Sequence, residues 1–255
     1  MTELRRRFGL IGHPVEHSWS ARFFEEKWAQ LGISNCDYGL HDLDTIEDVH
    51  ALWQMPGWAG MNVTLPYKKS ILPLLDGLAP SAEAVGAVNT VAFTSAGRIG
   101  HNTDTVGFKR SIAPFLEGHH QRALILGTGG AAAAVRSVLE GIGLDVFLVS
   151  RQPNGPKSVH YRDIGAEGVK ATPLLVNCTP VGMHPAVEQM PPLSEAAWRA
   201  IGPDHLVIDL VYNPSQTRLL DHASKLGART LGGLSMLKLQ AEAAWEIWEA
   251  TAAQP

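Results

Sequence analysis

Cysteine is scarce in this chain. Only Cys36 and Cys178 occur, far apart and in no metal-type pair, so neither a disulfide scaffold nor a zinc cluster is expected to organise it. Charge of one sign is missing as well. The 21 basic side chains stand against 25 acidic ones, a formal net charge of -4, without the bias of a disordered tail or a polyanion binder. Nucleic acid is therefore not an expected partner. The apolar stretch that comes nearest to membrane length, Gly129 to Val149, is interrupted by Arg136, Glu140 and Asp145, which argues against a membrane span. The basic start, Met1 to Arg7, leads only into Phe8-Gly9-Leu10-Ile11-Gly12, too short for a signal-peptide core. A reducing cytoplasm is the expected compartment. No repeat or low-complexity block occurs either. What the chain does have is apolar residues, 45% of 255, enough to build a sizeable core in one or two globular domains.

Periodicity divides the chain in two. The first half reads as an apolar strand Phe8 to Gly12, a helix Ser20 to Leu31 that Ser18 is placed to cap, and a strand Cys36 to Leu43. A helix capped near Asp44 or Thr45 follows, then a strand Gly60 to Leu65 stopped by Pro66, and a hairpin of Val88 to Thr94 with Arg98 to Asn102. Strand-helix-strand alternation predicts a mostly parallel sheet. The second half opens with a helix pattern Thr105 to Leu116. It continues with a strand Ala123 to Leu126, an alanine-rich helix Ala131 to Ile142, and strands at Val146 to Val149, Leu174 to Asn177 and Leu206 to Leu210. The final amphipathic helix, Ser235 to Thr251, carries Leu237, Ala241, Ala244, Trp245 and Trp248 on one stripe and is expected to pack back on the first domain. The reading is a two-domain α/β protein: an N-terminal domain over 1–104 completed by 232–255, and a Rossmann-type domain over 105–231.

Between the strand at Ala123 and the helix after it lies Gly127-Thr128-Gly129-Gly130-Ala131-Ala132, matching the dinucleotide pattern G-x-G-x-x-G/A. The bare pattern more often marks only a tight turn; a strand before, a helix after and a strand beyond reverse that balance. The first glycine permits the turn, the second lets backbone approach a pyrophosphate, and free N-H groups at the helix start meet the anion. An NAD site usually places an acid roughly 20 residues past the glycines, but here the second strand ends in Ser150-Arg151-Gln152. Arg151 offers a cationic fork to a 2′-phosphate, so NADP is predicted over NAD.

Polar residues of the first half gather in His17-Ser18-Trp19-Ser20, Asn62-Val63-Thr64-Leu65-Pro66-Tyr67-Lys68, Ala87-Val88-Asn89-Thr90 and Asn102-Thr103-Asp104. Asn62 and Thr64 alternate along one strand face with Lys68 just beyond, which brings amide, hydroxyl and amine to one rim, a complement for a hydroxyl-rich ligand. Taken singly, the serines read as helix caps, Asn89 as a turn amide, and Lys68 with Asp104 as a surface ion pair.

In chain order, these groups together with Gly127 to Ala131, Asn177-Cys178-Thr179-Pro180-Val181-Gly182 and Gly233 to Ala241 resemble the shikimate dehydrogenase family over nearly the whole chain. The resemblance implies NADP-dependent reduction of 3-dehydroshikimate to shikimate, with a small-molecule substrate and an active site between a substrate domain and a nucleotide domain; no metal site is expected from the residues. It implies that Ser18 and Ser20 hold the substrate carboxylate and that Asn62, Thr64, Asn89 and Gln240 bond the rest of the ring. Tyr212 is then placed near nicotinamide and substrate, with Lys68 and Asp104 as the acid/base pair. The cofactor set it implies is Gly127, Thr128, Gly129, Gly130, Ala131, Ser150, Arg151, Thr179 and Gly233. Three departures from the family pattern stand out. Gln152 and Gly155 replace a threonine and a second arginine frequent in NADP-specific members, which leaves Arg151 alone on the phosphate, and Gly100-His101-Asn102 replaces the commoner Gly-Asp-Asn.

Chemistry fits the resemblance, since reducing a ketone leaves an alkoxide that needs a proton and the reverse needs a base. Which of Lys68 and Asp104 titrates stays open, as do activity on quinate and a monomeric or homodimeric state. Two alternatives remain: a quinate/shikimate dehydrogenase using NAD or both cofactors, and, from another class, a non-catalytic dinucleotide-responsive regulatory protein on the same fold. The sequons at Asn62 and Asn177 and the His13/His17 pair carry nothing. The first lack a secretion signal, and Pro14 breaks the helical face the second needs.

Overall fold

A computed structural model describes residues 5–252, and these fall into two compact units. One takes the chain up to Val106 and resumes at Gln240; the other is Gly107–Leu239. The start of the basic N-terminal run, Met1 to Leu4, and the last three residues of the expected 232–255 segment lie outside the described residues.

In the first unit the order is β1 (Arg6–Gly12), α1 (Ser20–Leu31), β2 (Cys36–Asp42), a 3₁₀ turn at Ile46–Asp48 running into α2 (Val49–Trp53), and β3 (Trp58–Val63). Then come β4 (Gly77–Leu78), α3 (Pro80–Val85), β5 (Thr90–Thr94), β6 (Gly97–His101) and the start of α4 (Thr103–Ile112). The sheet order is β2-β1-β3-β5-β6-β4; β5 runs antiparallel to both neighbours and the other pairings are parallel.

The second unit contains β7 (Arg122–Leu126), α5 (Gly130–Gly141), β8 (Asp145–Ser150), β9 (Ser158–His160), α6 (Ala166–Lys170) and β10 (Leu174–Asn177). After these come α7 (Glu195–Arg199), β11 (Leu206–Asp209), α8 (Arg218–Lys225), β12 (Arg229–Gly232) and most of α9 (Leu234–Ala252). Its sheet, β12-β11-β10-β7-β8-β9, is parallel throughout. Such a sheet is covered on both faces, which is why Leu124, Leu126, Ile125, Val176 and Ile208 are all buried and the strands read as unbroken apolar runs.

Packing in the first unit is aromatic. Phe8 on β1 lies 4.9 Å from Trp248 and 5.3 Å from Trp28, centroid to centroid, and Trp248 also donates its indole N-H to the Val91 carbonyl at 3.0 Å. The tryptophan stripe of α9 is thus core of this unit, together with Phe24, Ala241 and Ala244.

Most expected boundaries move by a residue or two, and three shifts bear on the site. The helix expected at Thr105 starts at Thr103, and its α part stops at Ile112, where Pro114 ends the hydrogen-bond ladder in a 3₁₀ turn. Asp104 therefore lies in the first turn of α4. The strand expected to reach Leu65 ends at Val63, so Thr64 sits just past it, still bonded through its N-H to the Ile11 carbonyl at 2.9 Å. Ser18 is not the N-cap of α1. Trp19 holds that position, and the Ser18 hydroxyl oxygen accepts the Ser20 N-H at 3.3 Å instead.

Candidate functional site

Strand ends of the first sheet assemble one polar cluster. Lys68, after β3, donates its Nζ to Asp104 Oδ2 at 2.7 Å. The other carboxylate oxygen accepts from Asn89 Nδ2 at 2.9 Å. Asp104 is 7% exposed, so the pair is a largely desolvated contact rather than a solvated surface bridge, and the first turn of α4 favours the carboxylate. Asn89 is itself fixed. Its Oδ1 accepts the Thr103 N-H at 2.7 Å, while its Nδ2 lies 3.0 Å from Thr103 Oγ1 and 3.4 Å from Gln240 Oε1. Gln240 thereby reaches the cluster from α9.

Asn62 is bonded from three sides. Its Nδ2 hydrogens go to the Asn89 carbonyl (3.2 Å) and to Thr90 Oγ1 (3.1 Å), and its Oδ1 accepts from Tyr38 OH (2.7 Å). With both donors spent, Asn62 meets any ligand hydroxyl as an acceptor, through the remaining lone pair on Oδ1. Burial pushes the Tyr38 phenol far above its usual range, which keeps it a neutral donor. Thr64 is half-buried and its hydroxyl has no partner among the described residues. Ser18 and Ser20 lie at the start of α1, whose first turn holds no acidic residue and whose N-cap side chain makes no bond. That leaves helix N-H groups without a side-chain cap, a suitable receptor for a carboxylate, beside half-buried Ser18 and Ser20, the latter hydrogen-bonded to Tyr38.

Tyr38, Thr90 and Thr103 were missed by sequence reasoning as members of this cluster. Thr90 and Thr103 stand inside the quoted polar groups, which was the available signal. Tyr38 gave none, since it reaches Asn62 across the intervening β1.

At the C-terminal edge of the second sheet, β7 and β10 are neighbours while α5 leads from β7 to β8 on the other side, so the strand order reverses there, the usual position of a ligand crevice in a doubly wound sheet. Gly127 begins the turn with φ +109°, a conformation only glycine adopts freely, and a Cβ on it would lie 3.0 Å from the Thr179 methyl. Gly129 caps α5 with no side-chain bond and with open space where a Cβ would stand; Thr128 and Gly129 are exposed, Gly130 and Ala131 half-buried. Ala132 is fully buried against the sheet. This open helix start fits a dinucleotide pyrophosphate.

Ser150, buried at the end of β8, accepts the Gln152 N-H at 3.0 Å and shapes the turn from which exposed Arg151 projects; Arg151 makes no ion pair among the described residues. Thr179 spends its hydroxyl proton on Asn177 Oδ1 at 2.6 Å and accepts from Val181 N at 3.3 Å, so it offers the turn its methyl. A Cβ on Gly233 would come within 2.1 Å of the Leu210 carbonyl oxygen, so glycine is required there by backbone packing alone. Tyr212 is half-buried in the second unit. Among the described residues no cluster of His, Cys, Asp and Glu is arranged to hold a metal, and no helix is long and apolar enough to cross a membrane.

Known proteins are similar to this chain in sequence and fold. The family model for the shikimate dehydrogenase substrate binding domain matches residues 10–91. The NADP(+) shikimate dehydrogenase of Methanopyrus kandleri is 37% identical over 94% of this chain and 89% of its own length. The crystal structure of Thermus thermophilus shikimate 5-dehydrogenase in complex with NADP(H) and shikimate superposes with a TM-score of 0.84 at 32% identity, covering 96% of this chain and 94% of that one. Quinate dehydrogenase from Corynebacterium glutamicum in complex with NAD is also similar, with a TM-score of 0.81 at 28% identity over 96% of this chain and 94% of the other. With the relatedness running from end to end and the polar cluster lying in and beyond the matched substrate domain, the chain belongs to the shikimate dehydrogenase family.

Proposed function

We propose that this chain catalyses the reversible NADPH-dependent reduction of 3-dehydroshikimate to shikimate, the step that leads towards chorismate and the aromatic amino acids. The observation that carries the reading is the 2.7 Å contact of Lys68 Nζ with Asp104 Oδ2, in a cluster whose other members are amides and hydroxyls. The first unit is assigned the substrate and the second the dinucleotide. When bound, the nicotinamide supplies hydride to the ketone carbon.

The chain's own residues do the rest. Lys68 gives a proton from Nζ to the oxygen that becomes the new hydroxyl and takes one back in the reverse direction. Asp104 holds the ammonium and is held in turn by Asn89. Ser18 and Ser20 receive the ring carboxylate at the start of α1. Asn62 accepts from a ring hydroxyl, and Thr64, Asn89, Gln240 and Tyr212 complete the shell around the ring. On the dinucleotide side, Gly127, Thr128, Gly129, Gly130 and Ala131 present backbone N-H groups to the pyrophosphate, while Thr179 and Gly233 shape the surrounding loops. Ser150 sets the turn from which Arg151 meets the 2′-phosphate, giving a moderate preference for NADP. Free thiols at Cys36 and Cys178 suit a cytoplasmic enzyme.

The test follows the absorbance of NADPH formed from NADP, and of NADH formed from NAD, with shikimate and with quinate. Turnover is expected with shikimate and NADP above the other three combinations. Faster turnover with quinate and NAD identifies a quinate dehydrogenase instead, and dinucleotide binding without turnover on either ring identifies a regulatory protein.

A further inference from the structure

Asp209, at the end of β11, is completely buried, and its hydrogen-bond partners among the described residues include no cation. A carboxylate in such a place is costly unless its oxygens are saturated by donors. They are. Oδ1 accepts from Asn177 Nδ2 at 2.9 Å and from Val211 N at 3.1 Å, and Oδ2 accepts from Thr217 Oγ1 at 2.6 Å. Burial raises this carboxyl above its ordinary value and these three donors pull it back.

The consequences run outward through Asn177, which is also fully buried and pairs in register with Asp209 on one side and Leu126 on the other. An acceptor at Asp209 Oδ1 fixes the Asn177 amide with its NH₂ towards β11. Its Oδ1 is then turned towards Thr179, whose N-H and hydroxyl it receives at 3.1 and 2.6 Å. Thr179 in turn lays its methyl against the Gly127 turn.

We propose that Asp209 is a positioning residue for the dinucleotide: through the Asn177 amide it sets the Thr179 loop against the Gly127 turn. The inference rests on the reading of this sheet edge as the dinucleotide site.

Calorimetric titration of NADPH and, separately, of shikimate into the full-length protein tests it. Wild type, Asp209→Ala, Asp209→Asn, Asn177→Ala and the Asp209→Ala/Asn177→Ala double variant are compared, with thermal midpoints alongside. Loss of a charge-assisted hydrogen bond predicts a rise of about tenfold in the NADPH Kd for Asp209→Ala, with the shikimate Kd within about twofold of wild type. Because the two residues act as one unit, the double variant binds NADPH no worse than the weaker single variant. Asp209→Asn keeps an oxygen for Val211 N and Asn177, so its loss is smaller, about threefold, again for NADPH alone. If Asp209→Ala does not fold, that threefold selective loss decides the matter. NADPH affinity unchanged in both Asp209 variants, equal losses for the two ligands, or additive losses in the double variant overturn the inference. Wild type that fails to bind NADPH removes the dinucleotide reading itself, a result distinct from binding that survives in the variants.

Discussion

Each unit contains a buried aspartate, Asp104 in the first turn of α4 and Asp209 at the end of β11, and the two are bonded differently. Asp104 is paired with an amine, Lys68, at 2.7 Å and is 7% exposed, whereas Asp209 is sealed and held by neutral donors, Asn177, Val211 N and Thr217. A carboxylate beside an amine at the rim can take part in moving a proton, because its partner changes charge and a ligand can reach them both. One that is sealed among amide and hydroxyl donors has fixed geometry and nothing to exchange. On the proposed function, the difference goes with chemistry in the first unit and positioning in the second.

Four perturbations break or sharpen that contrast, and the largest acts on the pair. Lys68→Ala is expected to lower turnover by roughly a hundred- to ten-thousand-fold while shikimate still binds, since the carboxylate and hydroxyl contacts come from other residues. Steady-state kinetics with a shikimate binding titration checks this, and wild-type turnover would erase the distinction between the two aspartates.

Next, Ser18→Ala and Ser20→Ala each delete a hydroxyl that the proposed function gives to the substrate carboxylate. A charge-assisted bond worth about 1.5 to 3 kcal/mol predicts a rise of about ten- to a hundredfold in the Michaelis constant for shikimate, with that for NADP unmoved. Circular dichroism must show the fold of both variants intact, because the Ser18 oxygen also accepts the Ser20 N-H. A shift in the NADP constant instead would mean that ligand sensitivity does not divide by unit.

The mirror experiment is Arg151→Ala, expected to weaken NADP by about tenfold and NAD little, since one cation without the second family arginine gives only a moderate preference. Fluorescence titration of both cofactors decides it; equal losses reduce Arg151 to a surface charge.

The smallest effect is global. Burial lowers the values of His41 and His101 in the first unit and of His120 in the second. Below the ordinary histidine value of about 6.5 the unfolded chain takes up protons that the folded chain resists, so stability is full above that pH and declines as pH falls towards the lowered folded values. Calorimetric midpoints should therefore fall between about pH 7 and pH 5.5. A midpoint that rises on acidification contradicts the burial of these imidazoles.

Much of this was legible in the sequence for a physical reason. The strands at Phe8, Ala123, Leu174 and Leu206 are buried on both faces and so announce themselves as apolar runs, and Gly127 is demanded by a turn with positive φ. The short elements β4, α3, β9, α6, α7, α8 and β12 were not read, because two to eight residues show too little periodicity. The cap of α8 was readable in principle, since the Thr217 hydroxyl accepts the Leu220 N-H. Tyr38 and Asp209 stayed invisible for a different reason: their roles lie in bonds to residues 24 and 32 positions away, Asn62 and Asn177, made between strands whose neighbourhood no local pattern encodes.

The division of labour between the two aspartates is tested most directly by the single-turnover rate of hydride transfer at saturating shikimate and NADP, measured in Asp104→Asn and Asp209→Asn side by side. Asp104→Asn should slow the step by about a hundredfold or more, while Asp209→Asn stays within a few-fold of wild type once cofactor is saturating. An unslowed Asp104→Asn, or equal slowing in both, would contradict it.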